Sequence, residues 1–149
     1  FMKIALFSDT HGIFRPDWMD IIKDCTYLIH TGDFHTRKCY ETFLNIGIPS
    51  YMVRGNCDKG EWASYLPEFM PVVIGGKMFY LVHNRADLPL DLTDADFIIY
   101  GHTHIFSHEN RHGKIYINPG SAGNDRGDGK HMAILELQDD DYKLQQIRL

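Results

Sequence analysis

Five short apolar runs in this chain are each followed at once by aspartate, histidine or asparagine, and this placement limits the fold more than any other feature. Lys3–Phe7 (KIALF) runs into Ser8-Asp9-Thr10-His11, and Tyr27–His30 (YLIH) into Thr31-Gly32-Asp33. Ser50–Arg54 (SYMVR) runs into Gly55-Asn56-Cys57-Asp58, Tyr80–Val82 into His83, and Phe97–Tyr100 (FIIY) into Gly101-His102-Thr103-His104. Runs of this length suit buried strands. In α/β sheets, ligand sites lie beyond the carboxyl ends of the strands. Five such ends carrying metal-type ligands would converge on one place.

The segments between the runs support an α/β reading. Asp17–Cys25 reads as a helix, with Trp18, Ile21, Ile22 and Cys25 on one face and Pro16 near its first turn. Thr36–Asn45 reads as a second, with Cys39, Tyr40, Phe43 and Leu44 inward and Gly47 as its stop. The later part is mainly strand: Pro71–Ile74 and Met78–His83 flank a Gly75-Gly76 hairpin signal, followed by Lys114–Ile117, His131–Leu137 and Tyr142–Leu149. A βαβαβ start and a β-rich finish predict two stacked mixed sheets flanked by helices, a four-layer α/β/β/α sandwich. A chain of 149 residues fits one domain, 1–149, in which Phe1 reads as an added residue and Met2 as the natural start.

Composition removes several function classes. The charge of −5 argues against a long nucleic-acid partner. Apolar runs are too short for a membrane span, and the N-terminus lacks the pattern of a signal peptide. Cys25, Cys39 and Cys57 have no CxxC spacing, which disfavours a disulfide framework or zinc ribbon and suits a reducing cytoplasm. Nine histidines point to metal or proton chemistry.

Taken singly, each polar element has an ordinary explanation: Asp-x-His as a cap, Gly-Asp and Gly-Asn as turns, His83 as a core histidine. Together and in order, D-x-H, G-D, G-N, H and G-H-x-H resemble the motif string of the calcineurin-like metallophosphoesterase superfamily. The short chain, the Cys in Gly55-Asn56-Cys57-Asp58 and the segment Asn118-Pro119-Gly120-Ser121 resemble its small bacterial and archaeal phosphodiesterase branch, of the YfcE type.

The resemblance implies that Asp9, His11 and His104 hold one divalent metal, that Asn56, His83 and His102 hold a second, and that Asp33 bridges them. It implies hydrolysis of a small phosphodiester by metal-activated hydroxide. Oxygen and imidazole donors suit Mn, Fe, Zn, Ni, Co or Mg, with Mn expected first. Paired ions can stabilise both the entering and leaving oxygens and bring the pKa of water toward about 7. Relatives of this kind self-associate, so the resemblance is compatible with a homodimer.

Two departures stand out. Much of the superfamily has His after the motif Asn, thought to contact the leaving group, where this chain has Cys57. Cys57 and Asp58 therefore join Asp33 and Asn56 as candidate catalytic residues, with Asp58 read as assisting the leaving group, orienting His11, or simply turning the chain. The second departure is Arg85 in place of a second histidine after His83; it reads as a phosphate contact or a surface arginine. Arg126 is a further phosphate-binding candidate, and His35 a supporting residue beside Asp33. A phosphomonoesterase or nuclease is an alternative. So is a noncatalytic scaffold, since the small subunit of retromer resembles the fold.

Overall fold

A computed structural model describes residues 2–149; Phe1 lies outside the described residues. Among the described residues ten strands form two five-stranded mixed sheets. The first contains β1 (Met2–Phe7), β2 (Tyr27–His30), β3 (Ser50–Met52), β9 (His131–Leu137) and β10 (Tyr142–Arg148), in the order β10-β9-β1-β2-β3. The second contains β4 (Phe69–Ile74), β5 (Lys77–Val82), β6 (Phe97–Ile99), β7 (Ser107–Arg111) and β8 (Lys114–Asn118), in the order β4-β5-β6-β8-β7. Strands β1, β2 and β3 run parallel, as do β5, β6 and β8. This brings the residues after β1, β2, β3, β5 and β6 to one rim.

Strand alternation explains the layers. Ile4 and Leu6 of β1 join Ile29, Leu135, Phe79, Leu81, Ile99 and Ile117 in the core between the sheets. The opposite face of β1, Ala5 and Phe7, packs with Trp18, Ile22, Cys39 and Phe43 from α1 (Trp18–Ile22) and α2 (Arg37–Leu44). A strand buried on both faces reads as a continuous apolar run, which is why the pattern KIALF lacks polar alternation. Outside the second sheet, Val82, Ile98, Tyr100 and Tyr116 are covered by Leu88, Leu92 and Ala95. That outer layer is built from a 3₁₀ turn (Arg85–Asp87) and the following loop.

Several element bounds differ from the sequence expectation. The helix expected over Asp17–Cys25 spans only Trp18–Ile22. Asp17 makes no side-chain cap, and Thr26 N–H already donates to Lys3 O at 2.8 Å as the chain drops into β2. Leu44, expected inward, is 48% exposed, because Cys39 and Phe43 occupy the buried stripe of this short helix. The 3₁₀ turn Glu61–Tyr65 and strand β7 were not expected. Strand β7 is the polar edge strand SHENR, paired to β8, and its polar side chains show no apolar period. Strand β4 begins at Phe69 and carries Pro71, tolerated at a sheet edge because no ladder donor is needed there.

Candidate metal centre

The five strand ends meet. Ligand atoms of Asp9, His11, Asp33 and His104 all lie within 4.8 Å of one another. Asp33 Oδ2 is 3.7 Å from His11 Nε2 on one side and 3.3 Å from His83 Nε2 on the other. The His83 and His102 rings are 5.2 Å apart, and His102 Nδ1 is 3.2 Å from Asn56 Oδ1. All seven sequence-expected ligand residues therefore occupy one cluster. Asp33 stands between a subset with Asp9, His11 and His104 and a subset with Asn56, His83 and His102.

The backbone is bent out of its ordinary range to achieve this. Asp9, His11, Asp33, His102 and His104 adopt φ between 46° and 73°, the left-handed region that L residues rarely enter. Such conformations cost on the order of 1 kcal/mol or more each and persist only when the surroundings over-determine them. Two glycines give the room. A Cβ at Gly55 would collide with the Asp33 carboxylate, and one at Gly101 would meet Asp9 Oδ2 at 2.6 Å and strike Ser8 Oγ.

Each buried ligand uses one side-chain atom for support and presents the other to the cluster. Asp9 Oδ2 accepts from Ser8 Oγ at 2.6 Å and from His102 N–H at 3.0 Å, leaving Oδ1 free. Asp33 Oδ1 accepts from Cys57 N–H at 2.8 Å, leaving Oδ2 free. His83 Nδ1 donates to Thr31 O at 2.8 Å, and His104 Nδ1 donates to Asn124 O at 2.6 Å. These bonds fix the tautomer and turn each Nε2 lone pair toward the carboxylates, as the outer partners of metal-bound histidines do. Asp9 Oδ1 and His83 Nε2 are buried without a hydrogen-bond partner. Buried polar atoms left without partners are costly, and divalent cations held in this cluster would satisfy them. The donor set of carboxylate, amide and imidazole fits a divalent metal.

The electrostatics keep the two carboxylates ionised. Burial pushes the Asp33 carboxyl up, but His83, the Cys57 N–H and His11 outweigh it and hold the group well below the usual carboxylate range. Burial likewise opposes ionisation of Asp9, which His104, His83 and Ser8 nevertheless hold low. Asp9 raises the pKa of His104; His83, which burial alone would lower, is raised by Asp33 and Asp9. His11 is lowered, first by burial.

Asp58, read as assisting the leaving group, orienting His11 or turning the chain, is held by three backbone N–H groups. Its Oδ2 accepts from Asp33 N–H at 2.9 Å and Gly55 N–H at 2.7 Å, and its Oδ1 from His35 N–H at 2.9 Å. It is 1% exposed and clamps two ligand-bearing loops together while bordering the cavity beside Asn56, His83 and His102. Arg85 lies elsewhere than expected for a phosphate contact. Its guanidinium stacks over Tyr100 and Tyr116 at 5.2 and 5.1 Å and lies 3.6 Å from Glu109, on the outer face of the second sheet. Cys57 is half-buried at the cluster edge, with burial and Asp33 pushing its thiol up. Arg126 is exposed.

Supporting residues missed in the sequence include Ser8 and Thr31, while Asn118 and Ser121 were noted as a segment without assigned contacts. Ser121 Oγ donates to Asp9 O at 2.7 Å. Asn118 Nδ2 donates to Gly101 O at 3.1 Å and Thr103 Oγ1 at 2.9 Å, tying the loop after β8 to the His102 loop. The segment Asn118-Pro119-Gly120-Ser121 was a usable signal, but its partners are distant in sequence.

Beside Asn56, His83 and His102 lies a cavity of about 180 Å³, also lined by Arg54, Lys59, Glu68 and Asp87.

Comparison with known proteins gives the family and the fold. The calcineurin-like phosphoesterase superfamily domain matches residues 2–140. A phosphodiesterase of Methanocaldococcus jannaschii is 27% identical over 146 residues, covering 81% of this chain and 84% of the relative. The structure of a novel archaeal phosphodiesterase superposes with a TM-score of 0.80 at 25% identity, over 98% of this chain and 100% of that one. Vps29 of Entamoeba histolytica, solved with zinc, shares the fold with a TM-score of 0.76 at 20% identity, over 99% of each chain.

Proposed function

Because this chain belongs to the calcineurin-like phosphoesterase superfamily, we propose that it hydrolyses small phosphodiesters at a centre of two divalent metal ions. The observation that carries this reading is the cluster of Asp9, His11, Asp33 and His104, with His83 against Asp33 and with Asp9 Oδ1 and His83 Nε2 buried and partnerless. Asp9, His11 and His104 would hold one ion, Asn56, His83 and His102 the other, and Asp33 both. Manganese is the proposed metal. When bound, such ions polarise phosphoryl oxygen and make water a nucleophile at neutral pH.

The protein's own groups orient the reaction. Asp33 is kept ionised and aimed by the Cys57 N–H, so its free oxygen faces both subsets. Thr31 and Asn124 hold the histidine rings in one orientation. The adjoining cavity has room for the alcohol portion of a small ester, and Arg54 and Lys59 are the cations nearest a phosphate there. Its Glu68 and Asp87, together with a net charge of −5, oppose a long polyanion. Cys57, at the cluster edge, is the side chain closest to the position that the superfamily uses toward the leaving group.

Among the described residues no helix is long and apolar enough to cross a membrane. Three free thiols suit a reducing cytoplasm, which we propose as the location. The resemblance also makes a homodimer part of the proposal.

A second reading, a noncatalytic scaffold, draws on the full-length likeness to Vps29. Hydrolysis of bis(4-nitrophenyl) phosphate and 4-nitrophenyl phosphate by metal-stripped and Mn²⁺-refilled protein separates the two. Diester cleavage that appears only on refilling supports the phosphodiesterase. Preference for the monoester favours the phosphomonoesterase alternative, and no cleavage of either ester by refilled protein favours the scaffold.

A further inference from the structure

One edge of the centre carries a second ligand set. His11, His35 and Cys57 each offer a ligand atom, and the three atoms lie within 4.8 Å of one another. The His11 and His35 rings are 5.7 Å apart. Neither His35 nor Cys57 is used by the two-metal arrangement. Both start from backbone that is held in place: His35 N–H is bound by Asp58 at 2.9 Å and Cys57 N–H by Asp33 at 2.8 Å. His35 is further fixed at φ 74°, a left-handed conformation that turns its side chain away from the ordinary course of the loop.

From this we infer that His11, His35 and Cys57 form an additional binding site for a thiophilic divalent cation such as Zn²⁺, Co²⁺ or Cd²⁺. Two imidazoles and one thiolate are a donor set such ions accept readily, and Mn²⁺ and Mg²⁺ are poor competitors for it. Binding removes the thiol proton of Cys57 to solvent and forms a metal–sulfur bond; nothing is oxidised or reduced. His11 is common to this set and to the one around Asp9. An ion bound to His35 and Cys57 therefore competes for His11, which couples thiophilic cations to the neighbouring centre.

The test is optical and independent of hydrolysis, so its failure is distinguishable from failure of the phosphodiesterase reading. Metal-stripped protein is titrated with Co²⁺ to three equivalents, and the near-ultraviolet thiolate-to-cobalt band is recorded. The other two cysteines, Cys25 and Cys39, are buried and share no ligand group with His11 and His35. The wild type develops the band, Cys57→Ser lacks it, and His35→Asn requires at least about tenfold more cobalt to reach it. Asn tolerates the left-handed backbone at position 35, which keeps that variant folded. Absence of the band in the wild type, its persistence in Cys57→Ser, or an unchanged cobalt dependence in His35→Asn would overturn the site.

Discussion

Asp58 illustrates how far a single residue can be read. Its carboxylate was visible in Gly55-Asn56-Cys57-Asp58, but its role is set by N–H groups of Asp33, His35 and Gly55, which only the fold brings together. Hydrogen bonds to a charged group contribute about 1.5–3 kcal/mol each, so Asp58→Asn should destabilise the protein by about 2 kcal/mol or more. Activity should fall by a similar factor on esters with good and poor leaving groups, measured as kcat/KM across a series of aryl phosphodiesters. A loss that steepens with leaving-group pKa would restore the leaving-group role. The seven ligand-type residues were legible because Asp, Asn and His directly after apolar runs are unusual in combination. Ser8, Asn118 and Ser121 were not, since a hydroxyl or amide looks the same in sequence whether it supports a ligand or faces water.

At the scale of elements, the parallel strands were legible and the pieces joining them less so. KIALF, YLIH and the FII of FIIY sit in β1, β2 and β6 because continuous burial leaves a continuous apolar signature. The short α1, the 3₁₀ turn Glu61–Tyr65 and the edge strand β7 depend on contacts across the chain and carry little local pattern. The turn after β6 is the most sensitive join, because Gly101 passes against Ser8 and Asp9 just before the His102 loop. Gly101→Ala overpacks this point and should cost about 1–3 kcal/mol in denaturant unfolding. The same variant should bind Mn²⁺ more weakly by isothermal titration, since Asp9 cannot keep its position. Unchanged affinity and stability would show that the loop can move aside.

For the molecule as a whole, the buried polar groups set how stability responds to pH and metal. Burial pushes His30 down to about 3; it accepts from Gly32 N–H at 3.0 Å and bonds Thr10 Oγ1 at 2.9 Å. Its folded pKa lies below the unfolded value of about 6.5, so the folded state binds fewer protons and stability falls as pH drops from about 6.5 toward 3. The slope from this residue reaches about 1.4 kcal/mol per pH unit. His30→Gln should flatten the pH dependence of urea unfolding between pH 6 and 4, even if it lowers stability throughout. Asp9 and Asp33, held low, add to the acid loss below their unfolded range, where their protonation favours unfolding. Metal acts in the opposite direction: Mn²⁺ at a hundred times its dissociation constant adds about 2.7 kcal/mol per site and should raise Tm by about 5–10 °C, read by differential scanning fluorimetry. The two-layer sheet core was evident from the order of apolar runs and helices, whereas a buried neutral histidine such as His30 was not, because its environment comes from Phe34, Phe43 and Thr10. The most direct measurement is the number of Mn²⁺ ions retained per chain by elemental analysis, taken with the diester hydrolysis rate of the same sample, for wild type and Asp33→Asn. Two ions with hydrolysis in the wild type, and loss of at least one ion together with hydrolysis in the variant, is the predicted result. Fewer than two ions in an active wild type, or an Asp33→Asn variant that keeps both ions and full activity, would contradict it.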